Sequence, residues 1–135
     1  MTSRNLLTRG KKRRALVLIK TGQLGEAKSL LESVCANDRR DAEAWYLLGT
    51  LHEQMGTPGE AERCYHRAAE LEPARAEIHF ALGNTQQAVG HIEQATKSYR
   101  RALAIRPDFL EDQSNLGAAL ESQDRLEEAV QSFEH

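Results

Sequence analysis

The sequence predicts an all-α solenoid of stacked antiparallel helix pairs, and three observations carry that expectation. Residues recur at a step of thirty-four: Gly49, Gly83 and Gly117; Leu48, Leu82 and Leu116; Ala61, Ala95 and Ala129; Tyr65, Tyr99 and Phe133. A fixed period over most of a chain marks copies of one supersecondary unit packed side by side. The helix-breaking residues keep the same step, at Gly22, Gly56 and Gly90 and at Pro73 and Pro107. Composition agrees: 135 residues, 40% hydrophobic, only 5% aromatic and three prolines suit helices packed through small and aliphatic side chains.

The elements follow in order within a single domain, 1–135. A degenerate first repeat occupies 8–41, where Gly22 and Ala27 keep register but Lys11 stands at the position of Trp45. In the second repeat, 42–75, residues 42–55 read as an amphipathic helix with Trp45, Leu48, Leu51 and Met55 at helical spacing. Asp41 caps its start and Gly56 ends it. Thr57, Pro58 and Glu60 then read as N-cap, first helical residue and capping-box partner of a second helix. That helix runs to about Leu71 with Ala61, Cys64, Tyr65 and Ala68 on one side, and Pro73 closes the unit. The third repeat, 76–109, turns at Gly90 and directs Ala95, Tyr99 and Ala102 inward. A truncated fourth, 110–135, opens on an Asp108–Glu111 capping box and keeps Gly117 and Ala129. Gly or Ala at the crossing of each pair lets two backbones approach, and an aromatic from the neighbouring helix fills the adjoining hollow. A larger side chain at Gly83 or Ala95 should overpack that crossing by roughly 1–3 kcal/mol.

Charge is distributed unevenly. The net charge of −2 conceals seven Lys/Arg and no Asp/Glu in residues 1–20, against eleven basic and twenty acidic residues in the remainder. No apolar run approaches the ~20 residues of a membrane span. The run Ala15–Ile19 is ended by Lys20 without a cleavage site, so neither export nor a membrane is expected and the chain reads as cytoplasmic. Two cysteines, Cys35 and Cys64, do not make a disulfide framework. Gly-rich phosphate loops, nucleophile elbows, paired catalytic carboxylates and metal-ligand spacings are absent, so no enzyme, cofactor or metal is expected.

These residues resemble the tetratricopeptide repeat, whose pattern is W-x2-L-G-x2-Y, then A-x3-F, then a closing P. The second repeat reads Trp45, Leu48, Gly49, His52, Ala61, Tyr65, Ala68 and Pro73. The third reads His79, Leu82, Gly83, Gln86, Ala95, Tyr99, Ala102 and Pro107, and the last Gln113, Leu116, Gly117, Leu120, Ala129 and Phe133. The resemblance implies a right-handed superhelix whose concave groove is lined by the first helix of each repeat and takes partner peptides. By register the groove positions are Glu43, Tyr46, Leu47, Thr50 and Glu53; then Glu77, Phe80, Ala81, Asn84 and Gln87; then Glu111, Ser114, Asn115, Ala118 and Glu121.

Two subtypes of the family can be tested position by position. Carboxylate-clamp repeats, which hold chaperone C-terminal tails, place Lys and Asn in one groove segment, Asn in the next, then Lys and Arg. Lys12 fits the first site, but Leu16, Leu47, Glu77 and Ala81 occupy the others; starting one repeat later fails at Tyr46, Thr50 and Glu111. A chaperone tail is therefore not expected. The stretches Ala44–Gly49 and Ser114–Leu120 also look like bacterial-type repeats that precede glycosyltransferase or sulfotransferase domains. Asn115 matches the groove asparagine of that group, whereas Leu47 and Ala81 do not.

The function that follows is non-catalytic protein–protein interaction, with an extended segment lying along Tyr46, Phe80, Asn84 and Asn115. Aromatic side chains anchor partners well. Glu43, Glu77 and Glu111 recur at one position, where they complement the helix macrodipole and favour a basic segment. The run Lys11–Arg14 reads as the solvated face of a terminal helix rather than a nucleic-acid site. His52 and His79 replace aromatic core residues. Two other readings stay open. One is the substrate-recognition arm of a larger enzyme whose catalytic domain lies beyond His135, since His135 falls inside the last helix. The other is self-association through an uncapped final repeat.

Overall fold

A computed structural model of the chain describes residues 3–108. These form six α-helices: α1 (Ser3–Lys20), α2 (Leu24–Asn37), α3 (Ala42–Gln54), α4 (Pro58–Leu71), α5 (Ala76–Ala88) and α6 (Ile92–Ile105). Second helices begin at Leu24, Pro58 and Ile92, and the first helices α3 and α5 begin at Ala42 and Ala76. The step of thirty-four residues is thus the repeat of the elements themselves. The expected repeat 110–135 lies outside the described residues.

The chain divides into two compact units, Met1–Pro73 and Ala74–His135. In the first, α1 packs on α2, α3 on α4, and α2 on α3; in the second, α5 packs on α6. The core of the first unit includes Ala15, Leu18, Leu31, Val34, Leu48 and Leu51, with Trp45 packed against it. In the second unit Ala76 and Ala102 are buried beside Phe80 and Leu103.

Each inner turn is built the same way. At the end of α3, Thr57 N donates to His52 O (2.9 Å) and Gly56 N to Glu53 O (3.1 Å). These two bonds make a Schellman motif, which satisfies carbonyls that the ending helix leaves without partners. It requires a residue of positive φ between them, and Gly56 supplies φ 75°. Gly22 and Gly90 close α1 and α5 with the same pair of bonds.

The caps agree only in part with the sequence reading. Asp41 accepts from Ala44 N (3.0 Å) and caps α3 as expected. Thr57 precedes α4 and Pro58 takes its first turn, but the Thr57 side chain makes no cap bond. Its hydroxyl instead donates to His52 O (3.0 Å) and lies 2.9 Å from His52 Nδ1. The Schellman turn brings Thr57 back over the end of α3, so the hydroxyl meets that carbonyl in place of the α4 amides. Met55, expected on the buried face of α3, is the C-cap and is 39% exposed.

Packing at the helix crossings is tight. A Cβ added to Gly49 would lie 2.7 Å from a Tyr65 ring carbon, and one added to Gly83 would lie 3.0 Å from Tyr99. The hollow that each glycine leaves is filled by the tyrosine of the partner helix.

Candidate peptide-binding face

Residues three and four apart on a helix share a face. On α3 that rule groups Glu43, Tyr46, Thr50 and Glu53; on α5 it groups Glu77, Phe80, Asn84 and Gln87. The structure turns each set into the same local device. In the first unit the half-buried Tyr46 ring tilts against Tyr65 of α4 at a centroid distance of 5.5 Å. The Tyr65 hydroxyl lies 3.1 Å from Thr50 Oγ1, which itself donates to Tyr46 O (3.1 Å). In the second unit Phe80 meets Tyr99 of α6 edge-on at 5.6 Å. The Tyr99 hydroxyl donates to Asn84 Oδ1 and to Gln87 Oε1 (3.2 Å). Such aromatic pairs add about 0.5–1.5 kcal/mol beyond area burial.

Thr50, Asn84 and Gln87 therefore hold the tyrosine that supports the aromatic of the first helix in each unit. Burial pushes the Tyr65 phenol well above its ordinary value and the Glu53 carboxylate adds to that, against the opposing pull of the Thr50 bond. The phenol stays protonated and keeps its bond. Leu47, placed in the groove by register, is instead buried in the core of the first unit, because the Tyr46 ring occupies the open side of α3. Ser114, Ala118 and Glu121, together with the candidate site residues Glu111 and Asn115, lie outside the described residues.

The carboxylates differ in how far they are committed. Glu43 is exposed and lies 3.5 Å from Lys12 Nζ, whose stronger partner is Asp41 at 3.0 Å. Burial opposes the charge of Lys12, but the bond and charge of Asp41, then Glu43, outweigh it and raise its pKa. Glu77 accepts from Arg75 Nε (2.9 Å) and lies 2.8 Å from Arg75 Nη2. Burial pulls the Glu77 carboxyl up; its own backbone amide and the Arg75 guanidinium more than offset this and hold it below the usual carboxylate range. Glu53 is exposed beside Tyr65.

Four contributors were not among the sequence-predicted site residues. Leu16 is 40% exposed and shares the register of Thr50 and Asn84, so the thirty-four-residue step contains that signal. Lys12, at the register of Tyr46 and Phe80, brings a cation already neutralised by Asp41 and Glu43. Tyr65 and Tyr99 read in the sequence as packing residues, and only the structure shows their hydroxyls reaching the first helices.

On the second-helix side of the first unit, an open cleft of about 660 Å³ is lined by Cys35, Trp45, Leu48, His52, Cys64 and Arg67, among others. Burial, with smaller contributions from Cys64 and neighbouring carboxylates, pushes the Cys35 thiol up to about 12; burial and Glu60 push Cys64 up to about 11. Thiols held protonated in this way are poor nucleophiles. Among the described residues no group of three or more His, Cys, Asp and Glu could hold a metal ion, and no helix is long and apolar enough to cross a membrane.

Comparison with known proteins agrees with this architecture. The tetratricopeptide-repeat family matches residues 40–108, and a second description of the same repeat matches residues 12–61. Among solved structures the chain is similar to a Thermobaculum terrenum O-GlcNAc transferase mutant, at 30% identity and a TM-score of 0.77. That match covers 89% of this chain and 23% of the transferase. The fold is also shared with the Yersinia enterocolitica type III secretion chaperone SycD in complex with a peptide of the translocator YopD (16% identity, TM-score 0.73, 98% of this chain and 95% of that one). It is shared again with the first repeat domain of Spaghetti (RPAP3) bound to an HSP90 peptide (17% identity, TM-score 0.76, 95% and 94%). No curated protein sequence matches the chain.

Proposed function

The chain belongs to the tetratricopeptide-repeat family, and from that premise we propose that it is a non-catalytic binding module that holds an extended segment of a protein partner against its first helices. The observation that carries this reading is the aromatic-on-tyrosine device. Tyr46 and Phe80 are supported from beneath by Tyr65 and Tyr99 and remain only half-buried. A rigid aromatic held in that way anchors a partner at low conformational cost. The peptide-bound chaperone and repeat domain that share the fold make peptide binding the natural use of such a face.

Charge refines the partner class. Glu43 and Glu53 are exposed on α3; on α1 Lys12 is held by Asp41 and Glu43, while Arg9, at the register of Glu43, is exposed. The exposed Glu43 and Glu53 favour a basic or neutral segment, and Lys12 is open to an acidic tail only if two internal carboxylates are displaced. Capture from a lysate by the wild-type chain and by a Tyr46→Ala/Phe80→Ala variant, matched for helical content, tests the proposal. Loss of specific partners from the variant supports it; equal capture by the two proteins counts against it.

A second reading draws on the likeness to the transferase, of which the chain spans less than a quarter. There the same face would be the substrate-recognition arm of a larger enzyme. The coding sequence beyond His135 decides between the two, since a glycosyltransferase- or sulfotransferase-type domain in that position is required by this reading alone.

A further inference from the structure

The exposed side of α1 carries charge that is left unmatched among the described residues. Lys11 donates to Ser33 Oγ (3.0 Å) and Lys12 pairs with Asp41, so these two cations turn inward. Arg9, Arg13, Arg14 and Lys20 are exposed, and among the described residues none of the four has a hydrogen-bond or ion-pair partner. At 100° per residue, Arg9, Lys20 and Arg13 form one stripe, and the 56% exposed Val17 falls between that stripe and Arg14. Arginines flanking Val17 leave no continuous apolar strip to enter a lipid surface.

The complementary charge lies in the same chain. Residues 109–135 contain seven Asp/Glu against one arginine, Arg125, and include the adjacent pair Glu127–Glu128. We propose that the basic face of α1 docks on the acidic stretch 109–135 of a second copy of the chain. A contact between two different patches of one molecule is heterologous, so copies add head to tail or close into a ring. Opposite charges also steer the encounter, which makes the association depend on ionic strength.

The test uses the full chain in light scattering and sedimentation velocity at about 20 mM and about 500 mM salt, where the screening lengths are roughly 20 and 4 Å. The expected result is a mass at least about twofold above the monomer in low salt and the 15.1 kDa monomer in high salt. Arg13→Glu/Arg14→Glu and Glu127→Lys/Glu128→Lys should each be monomeric at both salts, with helical content confirmed by circular dichroism. Mixing the two variants restores both charge-complementary contacts and should restore the low-salt assembly. A monomer in low salt, an assembly indifferent to salt or to the arginine variant, or a mixture that stays monomeric overturns the proposal. Binding of the wild-type chain to anionic vesicles or nucleic acid without self-association overturns it as well.

Discussion

Replacing Gly49 with alanine sets two known effects against each other at one site. Alanine is worth about 0.8–1 kcal/mol more than glycine in a helix interior. Against this, the new Cβ would stand 2.7 Å from Tyr65 Cε1, 2.8 Å from Cδ1 and 3.0 Å from Cζ. Carbon atoms settle at about 3.5–4.0 Å, so the ring must retreat by the better part of an ångström. It has little room, because Tyr65 is 1% exposed, meets Tyr46 on one side and is tethered to Thr50 through its hydroxyl. Overpacking of this kind costs about 1–3 kcal/mol. The balance is a net loss of about 1 kcal/mol for Gly49→Ala. At Gly83 the nearest Tyr99 carbons would be at 3.0, 3.0 and 3.1 Å, a milder conflict, so Gly83→Ala should lie nearer neutral.

Urea unfolding followed by circular dichroism, with unchanged m-values, measures both substitutions. A Tyr65→Ala background, compared in a stabilising osmolyte, removes the obstacle. There Gly49→Ala should become stabilising by about the propensity difference, so the substitution changes sign between backgrounds. If Gly49→Ala stabilises the parent, or if its cost persists without the Tyr65 ring, the crossing is not held by glycine–tyrosine contact and the reasoning fails.

Two other measurements probe the electrostatics. The Glu77 carboxyl is held below its ordinary range, so its contribution to stability is present above the unfolded-state pKa and is lost as pH falls through the folded one. The difference in urea midpoint between wild type and Glu77→Gln should therefore be largest near neutrality and close on acidification; a gap independent of pH would refute the assignment. Cys35 and Cys64, raised to about 12 and about 11, should react with an aromatic disulfide reagent at mildly alkaline pH only slowly in the folded protein, and both rapidly in urea. Fast labelling of either thiol without denaturant would show that the second-helix cleft opens readily.

Much of the architecture was legible because the signals are local and repeated. Gly22, Gly56 and Gly90 mark the inner turns, and the structure gives all three positive φ with the same pair of bonds. Asp41 reads as a cap and acts as one. Thr57 matched the capping pattern equally well, but its hydroxyl faces a competing acceptor, the His52 carbonyl, that the turn itself creates. Leu47 and Tyr46 are neighbours in sequence, and register alone cannot say which apolar side chain faces the core. Lys12 pairs with Asp41 across twenty-nine residues, a contact that a repeat pattern does not encode because Lys12 breaks the pattern.

The candidate face imposes a consequence for how its specificity can change. Under the proposed function a partner would lie across Thr50, Asn84 and Gln87, yet each holds a tyrosine hydroxyl. Tyr46 and Phe80 rest on those same tyrosines, which fill the hollows at Gly49 and Gly83. Altering any of them changes helix pairing together with binding. Glu53, at the register of Gln87, is tied to the Tyr65 hydroxyl in the same way. Glu43 is different: it is exposed and does not line the helix crossing, so a surface substitution there should have a small effect on stability. Under the proposed function, partner choice would be most freely tuned at Glu43, with the aromatics as a common anchor. A substitution at Glu43 that alters the partner's preferred charge, with little change in unfolding, is the expected signature of that division.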